Sequence, residues 1–367
     1  MACRSLFVFA LMVFPISDAF ADKPGNGPSP KASKLGFATY WTVEPGWQSE
    51  LELRNNLAKD NLTIQPVLYT SEGVEIPLAA VNIPPNEIRT VDLGAALSAT
   101  APTVKGPNAF GSVVLKYTAH SELALYAAVM VHREGLPIAF HFDSERINPA
   151  YQEGGWEGIW WWPNETADSY VILANSSGEP LALTVRVSDS TGKSSQQAFG
   201  LGPHQTRKVS VRELVSRAQL DGSYGGIQIS TLVKAGDLHA AQISYDETNG
   251  FSALMKLFDH DPSARSEHVV LRAPMVALGN PDPVLNFPSG TSLAARVFVR
   301  NTLAKELQAQ MVLNWRSQSD TSALTAPPLL LKPGETRLIN LGQLGVPAEA
   351  NWAGVSVEYD GKSGDLI

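Results

Sequence analysis

Gly111-Ser112-Val113-Val114-Leu115-Lys116-Tyr117 decides the fold. Val113, Leu115 and Tyr117 take every second position, and strand side chains alternate between two faces, so one face is dry and the other wet. Two later stretches repeat the pattern: Ile227 and Ile229 alternate with Gln228 and Ser230, and Val355, Val357 and Tyr359 with Ser356 and Glu358. One dry face per strand is the pattern of an antiparallel sandwich. A glycine stands ahead of each run, at Gly111, Gly226 and Gly354, which predicts a bend into the strand.

Working outward, two marks precede each of these strands in the same order. The first is a hydrophobic-x-Asn tripeptide, at Leu53-Arg54-Asn55, Leu173-Ala174-Asn175 and Val299-Arg300-Asn301, with the asparagines 120 and 126 residues apart. The second is Pro-x-x-x-Arg: Pro85 to Arg89, Pro203 to Arg207 and Pro333 to Arg337. A period this long points to an array of whole domains and not to a solenoid. The runs Leu62 to Tyr69, Leu181 to Val187 and Leu307 to Trp315 add further strands, and Ser71-Glu72-Gly73 and Asp189-Ser190-Thr191-Gly192 are placed to close hairpins. One short helix is predicted over Val211 to Ala218, where Ser210 and Glu213 have capping-box spacing.

About seven short strands in roughly 115 residues is the immunoglobulin-like sandwich pattern. The predicted fold is all-β: tandem immunoglobulin-like antiparallel β-sandwiches with modules at 34–146, 157–262 and 271–367. The third reads as truncated. Leu123 follows Val113, Leu238 follows Ile227 and Leu366 follows Val355 at nearly one spacing, and the first two copies then continue to Phe142-Asp143 and Phe258-Asp259. The expectation is a third sandwich short of up to two strands, completed by a longer product or by a strand captured from a partner.

The stretch from Asn301 through Leu330-Leu331-Lys332-Pro333-Gly334-Glu335-Thr336-Arg337 to Leu341 resembles bacterial cell-adhesion-related (CARDB-type) Ig-like modules, in which an Asn-containing strand is followed by a Pro-Gly-Glu-Thr turn. The first two copies depart from it, reading Pro85-Asn86-Glu87-Ile88 and Pro203-His204-Gln205-Thr206. The resemblance implies an accessory, adhesion or spacer role outside the cell.

The first 21 residues read as a signal peptide: Arg4, an apolar core from Leu6 to Val13, and Ala19-Phe20-Ala21 before Asp22. Residues 22–33, rich in Pro and Gly, read as a flexible leader. Later stretches fall short of the roughly 20 apolar residues of a transmembrane helix. Cys3 is the single cysteine and lies in the predicted signal peptide, so the mature modules must hold without disulfides, which suits a bacterial product. The net charge of −8 with scattered basic residues argues against nucleic acid as the partner. Export predicts an extracellular, cell-surface or periplasmic place, and a protein or a glycan there as the partner.

Candidate site residues are few. Gly155-Trp156-Glu157-Gly158-Ile159-Trp160-Trp161-Trp162-Pro163 is the most conspicuous run. Trp161 precedes Asn175 by the offset that separates Trp41 from Asn55 and Phe287 from Asn301, so these three are expected in the cores. Strand alternation then turns Trp160 and Trp162 outward, and with Trp156 they form a candidate platform for stacking on sugar rings. His141-Phe142-Asp143 and Asp259-His260-Asp261 could suggest calcium between modules, but turn-starting aspartates explain them more simply, and no zinc spacing is present. The chain has no Gly-x-Ser-x-Gly, no His-Glu-x-x-His and no phosphate-cradling loop, so neither a catalytic residue nor a cofactor is assigned. The expected function is a non-catalytic structural or adhesion array; a carbohydrate-binding protein is the alternative and a hydrolase the third reading. Arg89, Arg207 and Arg337 are expected to cap carbonyls or pair with an acid, and Asn175, though within a glycosylation sequon, to serve a local turn as Asn55 and Asn301 do.

Overall fold

A computed structural model describes residues 31–146, 154–231, 237–259, 265–278, 295–316, 321–346 and 352–367. The predicted signal peptide, nearly all of the predicted leader, and His260, Asp261 and Phe287 lie outside the described residues. Module 1 comprises β1 (Ala32–Thr42), β2 (Trp47–Asn55), β3 (Leu62–Thr70), β4 (Glu75–Pro77), β5 (Val81–Ile83), β6 (Ile88–Asp92), α1 (Leu93–Thr100), β7 (Phe110–Ala119), β8 (Leu125–Arg133), β9 (Ala139–Asp143) and β10 (Glu145–Arg146). One sheet runs β10-β1-β7-β3-β4 with β5 on β3, and the other runs β6-β2-β8-β9.

Module 2 repeats the plan with β11 (Gly154–Trp161), β12 (Asp168–Asn175), β13 (Leu181–Asp189), β14 (Ser194–Leu201), β15 (Thr206–Ser210), α2 (Val211–Arg217), β16 (Tyr224–Thr231), β17 (Leu238–Asp246), β18 (Phe251–Met255) and β19 (Phe258–Asp259). Its sheets are β14-β13-β16-β11-β19 and β15-β12-β17-β18. Module 3 holds β20 (Glu267–Ala277), β21 (Arg296–Arg300), β22 (Leu307–Arg316), β23 (Thr321–Thr325), β24 (Leu329–Leu331), β25 (Thr336–Asn340) and β26 (Trp352–Gly361). Its first sheet, β20-β26-β22-β23 with β24 on β22, matches the others, whereas its second contains β21 and β25. β11 and β20 open a few residues ahead of the predicted edges at 157 and 271.

The alternating strands are central in each first sheet, and their apolar residues Val113, Leu115, Ile227, Ile229, Val355 and Val357 are buried. Val114 is buried too, which strict alternation does not predict, because module 2 covers it from outside. The three glycines ahead of these strands are not bends. Gly111 lies within β7, where a Cβ would overlap the Tyr69 carbonyl of β3, so the residue answers to close backbone approach.

The asparagines are the joints of the modules. Each is fully buried at the end of its strand. Asn55 Nδ2 donates to the Asp60, Ile83 and Pro84 carbonyls at 2.8–3.1 Å, while its Oδ1 accepts the Leu57 N–H at 2.9 Å. Asn301 repeats this with Lys305, Leu331 and Lys332 as acceptors and the Leu303 N–H as donor, and Asn175 with Glu179, Gly202 and the Ser177 N–H. A short amide that both donates and accepts is the side chain able to tie a strand end to two loops at once.

The predicted helix is present, with Ser210 Oγ accepting the Glu213 N–H at 3.2 Å. Its counterpart α1 went unpredicted: Asp92 caps it through the Ala95 N–H, but Gly94 and a weak apolar stripe hide it. Arg89 pairs with Glu87 at 2.7 Å and Arg337 with Glu335 at 2.6 Å, as expected. Arg207, with Gln205 at the position those glutamates hold, lies over the Phe199 ring at 5.3 Å.

Two alignments need correction. Asn55, Asn175 and Asn301 stand opposite Leu125, Leu238 and Leu366, so Leu125 and not Leu123 is the first-module counterpart. Phe142-Asp143 ends β9 in the second sheet, whereas Phe258-Asp259 forms β19 on the edge of the first. Similar dipeptides serve different edges.

Candidate functional site at the module junctions

The tryptophans come first. Trp160 is fully buried, donates its indole N–H to the Ser188 carbonyl at 2.9 Å, and stacks on Trp162 at 4.4 Å; Trp162 is 7% exposed and carries the Arg212 guanidinium at 4.5 Å. Trp161 is the half-exposed one, meeting Phe251 at 5.4 Å and Phe298 of module 3 at 5.7 Å. The expected faces are therefore inverted. β1 has a bulge between Ala38 and Trp41 that β11 lacks, so register places Trp41 opposite Gly111 and Trp160 opposite Gly225. Trp156 is half-buried against the module 2 core. The three do not form one exposed platform.

His141 lies 3.5 Å from Asp143 beside Tyr126, whose hydroxyl donates to Asp143 at 2.8 Å; Asp143 in turn is exposed. Among the described residues no three His, Cys, Asp or Glu side chains gather as metal ligands. A surface groove in module 3 is lined by His268, Lys305, Glu358, Asp360, Lys362 and Asp365. His268 is raised in pKa by the Asp360 carboxylate at 3.0 Å and lies open to solvent.

Specific contacts also gather between modules, at two junctions that share one geometry. At the first junction Ala174 of β12 sits among Phe37, Val67, Tyr69 and Val114. The His204 ring, on the Pro203 turn, stacks on Tyr69 at 4.2 Å, and the Thr206 N–H donates to the Ser71 carbonyl at 3.2 Å. At the second, Arg300 takes the place of Ala174, Gly334 that of His204, and the Thr336 N–H donates to the Ser190 carbonyl at 3.1 Å. Asn86, His204 and Gly334 all have positive φ (59°, 54° and 68°), so the three proline turns share one shape. The hairpin glycines Gly73 and Gly192 also have positive φ, and a Cβ on either would overlap the proline carbonyl of the next module.

The chemistry of the two junctions differs. The first is mainly apolar: Ile172 and Ile243 join the module 1 core, His239 stacks on Phe37 at 4.2 Å, and Tyr245 meets Trp47 at 5.3 Å. Ion pairs frame it, Lys208 with Glu44 at 2.7 Å and Arg133 with Glu247 at 3.1 Å. Burial holds the His204 imidazole below its ordinary pKa, against the pull of Glu75.

The second is built on a buried charge pair. Arg300, 5% exposed, places Nε 3.4 Å from Glu157 Oε2 and donates Nη1 to Ser188 Oγ at 2.9 Å and the Gly334 carbonyl at 2.7 Å. A Cβ at Gly226 would overlap the guanidinium carbon, so a larger residue there would displace the Arg300 head from its place. Burial pushes Glu157 up to about 7 although Arg300, Gln228 and Arg186 all pull it down. Arg300 is lowered, again by burial first.

Comparison with protein-family models, curated proteins and solved structures finds no match to this chain. Both halves of the plug, the residue before each asparagine and the proline turn, are visible in sequence as marks of a repeat. Their use as contacts is not, because Glu157 and Arg300 lie 143 residues apart.

Proposed function

We propose that this chain is a non-catalytic structural or adhesion array, exported from a bacterial cell, that holds its sandwich modules in fixed relation to one another outside it. The observation that carries the reading is the reuse of one junction geometry: a proline turn and an Asn-strand end of one module seated on the first sheet of the module before it. A chain of independently hinged domains has no need of side chains buried between them, and inter-domain motion is the default where such contacts are few. The resemblance of the third module to bacterial adhesion-related Ig-like modules supports the same role. The signal peptide supports export.

Two measurements test it. Protease shaving of intact cells with N-terminal sequencing should find a mature chain that begins near Asp22 and is accessible from outside. In a flow-detachment assay, cells that display the array should lose attachment when modules 1 to 3 are replaced by a Gly/Ser linker of equal reach. A cytoplasmic chain that retains Met1, or undiminished attachment through the linker, would overturn the proposal.

A further inference from the structure

In each first sheet the strand after β3, β13 or β22 forms an outer edge, and the three modules treat that edge differently. Module 1 breaks it into β4 and β5, and module 3 into β23 and β24. Module 2 runs it as one strand, β14. The breaks coincide with prolines at one place in the ladder. The Leu78 N–H donates to the Pro66 carbonyl at 3.0 Å and the Ala326 N–H to the Met311 carbonyl at 2.9 Å, with Pro77 just before the first and Pro327 just after the second. In module 2 that place is held by Gln197 opposite Val185, so Gln196 and Ala198 stand where the prolines would be. Short pieces and proline keep a further strand off an open edge. β14 has neither device: its eight residues, Ser-Ser-Gln-Gln-Ala-Phe-Gly-Leu, hold no proline and no charge.

The hairpin fixes which groups of β14 are free. The Asp189 N–H donates to the Lys193 carbonyl at 3.0 Å, so Ser195, Gln197, Phe199 and Leu201 in turn bond to β13. The same alternation turns the N–H and C=O groups of Ser194, Gln196, Ala198 and Gly200 away from it. Among the described residues no strand pairs with that side. All four residues are exposed, and a Cβ on Gly200 would meet nothing within 4 Å. Phe199 and Leu201, buried in the module 2 core, hold the strand in place.

We propose that β14 is a self-association edge, at which two copies of the chain pair antiparallel about a two-fold axis and join their module 2 first sheets into one. The strand is complementary to itself. With the axis at Gln197, Gln196 faces Ala198 of the second copy and Ser194 faces Gly200, so every outward N–H and C=O is used. Although the chain carries a net charge of −8, this strand meets its own copy without like charges in opposition. Backbone pairing supplies the attraction, as in strand addition at other open sheet edges. The inference rests on strand pairing alone and goes beyond the adhesion reading, since it links arrays side by side.

Sedimentation equilibrium of the full chain, combined with site-resolved hydrogen exchange, tests it. A monomer in dilute solution should pass into a dimer as concentration rises, with the Gln196 and Ala198 amides gaining protection in step. Gln196→Pro copies the arrangement at Pro77, removes one outward N–H from each copy while sparing the bonds to β13, and should weaken association roughly thirtyfold, the equivalent of about two hydrogen bonds. Gln197→Glu and Gln197→Lys each set like charges against one another across the axis and should weaken it too, whereas an equimolar mixture of the two variants should restore it. The proposal is overturned if the chain stays monomeric to the limit of its solubility, or if both amides are already protected in dilute solution. A dimer that is indifferent to Gln196→Pro, or that gains nothing from mixing the two charged variants, overturns it as well.

Discussion

The two junctions solve one docking problem with opposite materials. Ala174 enters a socket of Phe37, Val67, Tyr69 and Val114, whereas Arg300 enters one of Glu157, Ser188 and Gly226. The backbone contacts are the same in both, Thr206 to Ser71 and Thr336 to Ser190. Geometry is thus set by turns and main-chain bonds, and side chains decide strength and selectivity. An apolar plug gains from every methylene buried. A buried charge pair gains little net stability, because desolvation offsets most of its attraction, but it rejects a plug that lacks the matching charge.

The largest expected effect follows from breaking the pair. Arg300→Ala, measured at about pH 8, should destabilise the second junction by roughly 3–5 kcal/mol, because Glu157 loses the group that most holds its pKa down and must either stay buried as an unpaired carboxylate or take up a proton. Native-state hydrogen exchange at β21 reads the loss, and exchange in β12 should not change. Arg300→Met combined with Glu157→Leu should recover most of it, which would show that the contrast between the junctions is one of selectivity.

Next in size are the asparagine joints. Asn175→Ala removes a buried amide that serves two carbonyls and one N–H, and should cost about 3 kcal/mol in module 2, read by denaturant unfolding. A loss equal to that of a surface substitution would remove the joint from the account. Gly73→Ala and Gly192→Ala combine a positive φ with a clash against the next module, and each should cost about 1–3 kcal/mol at its own junction.

The smallest effect, and the sharpest contrast, is the response to pH. Docked Glu157 titrates near 7, above the 4.5 of an exposed glutamate, so the docked state holds a proton that the undocked state has released. Docking at the second junction is therefore strongest below about 4.5 and declines as pH rises through 7. His204 is lowered from 6.5, so the first junction is favoured at high pH and weakens as pH falls through that value. Limited proteolysis between about pH 5 and 8 should loosen the two junctions in opposite directions, and Glu157→Gln should flatten the second response. Loosening of the second junction in acid would contradict the burial argument.

What the sequence made legible was local and repeated. Asn55, Asn175 and Asn301, the proline turns and the alternating strands identify the sandwiches because each copy must satisfy the same backbone groups in the same way. The Ser210 cap was readable for the same reason. Trp160 and Trp161 were exchanged because one bulged residue in β1 flips every face beyond it, and no residue type announces that bulge. The sockets were invisible because they join residues from separate modules, and because Val114, buried by a neighbour, looks in sequence like any residue on a wet face. A second buried face on an alternating strand is the signal that could have found them.

The central claim is that the repeated junction holds the modules in fixed relation. With Cys3 replaced by Ser, spin labels can be placed at Ser98, Ser195 and Glu306, which are exposed in modules 1, 2 and 3. Pulsed electron–electron distance measurements near neutral pH should give one narrow distribution for Ser98–Ser195 and one for Ser195–Glu306. A broad distribution for either pair in the intact chain would mean that its junction is a hinge, and would contradict the account.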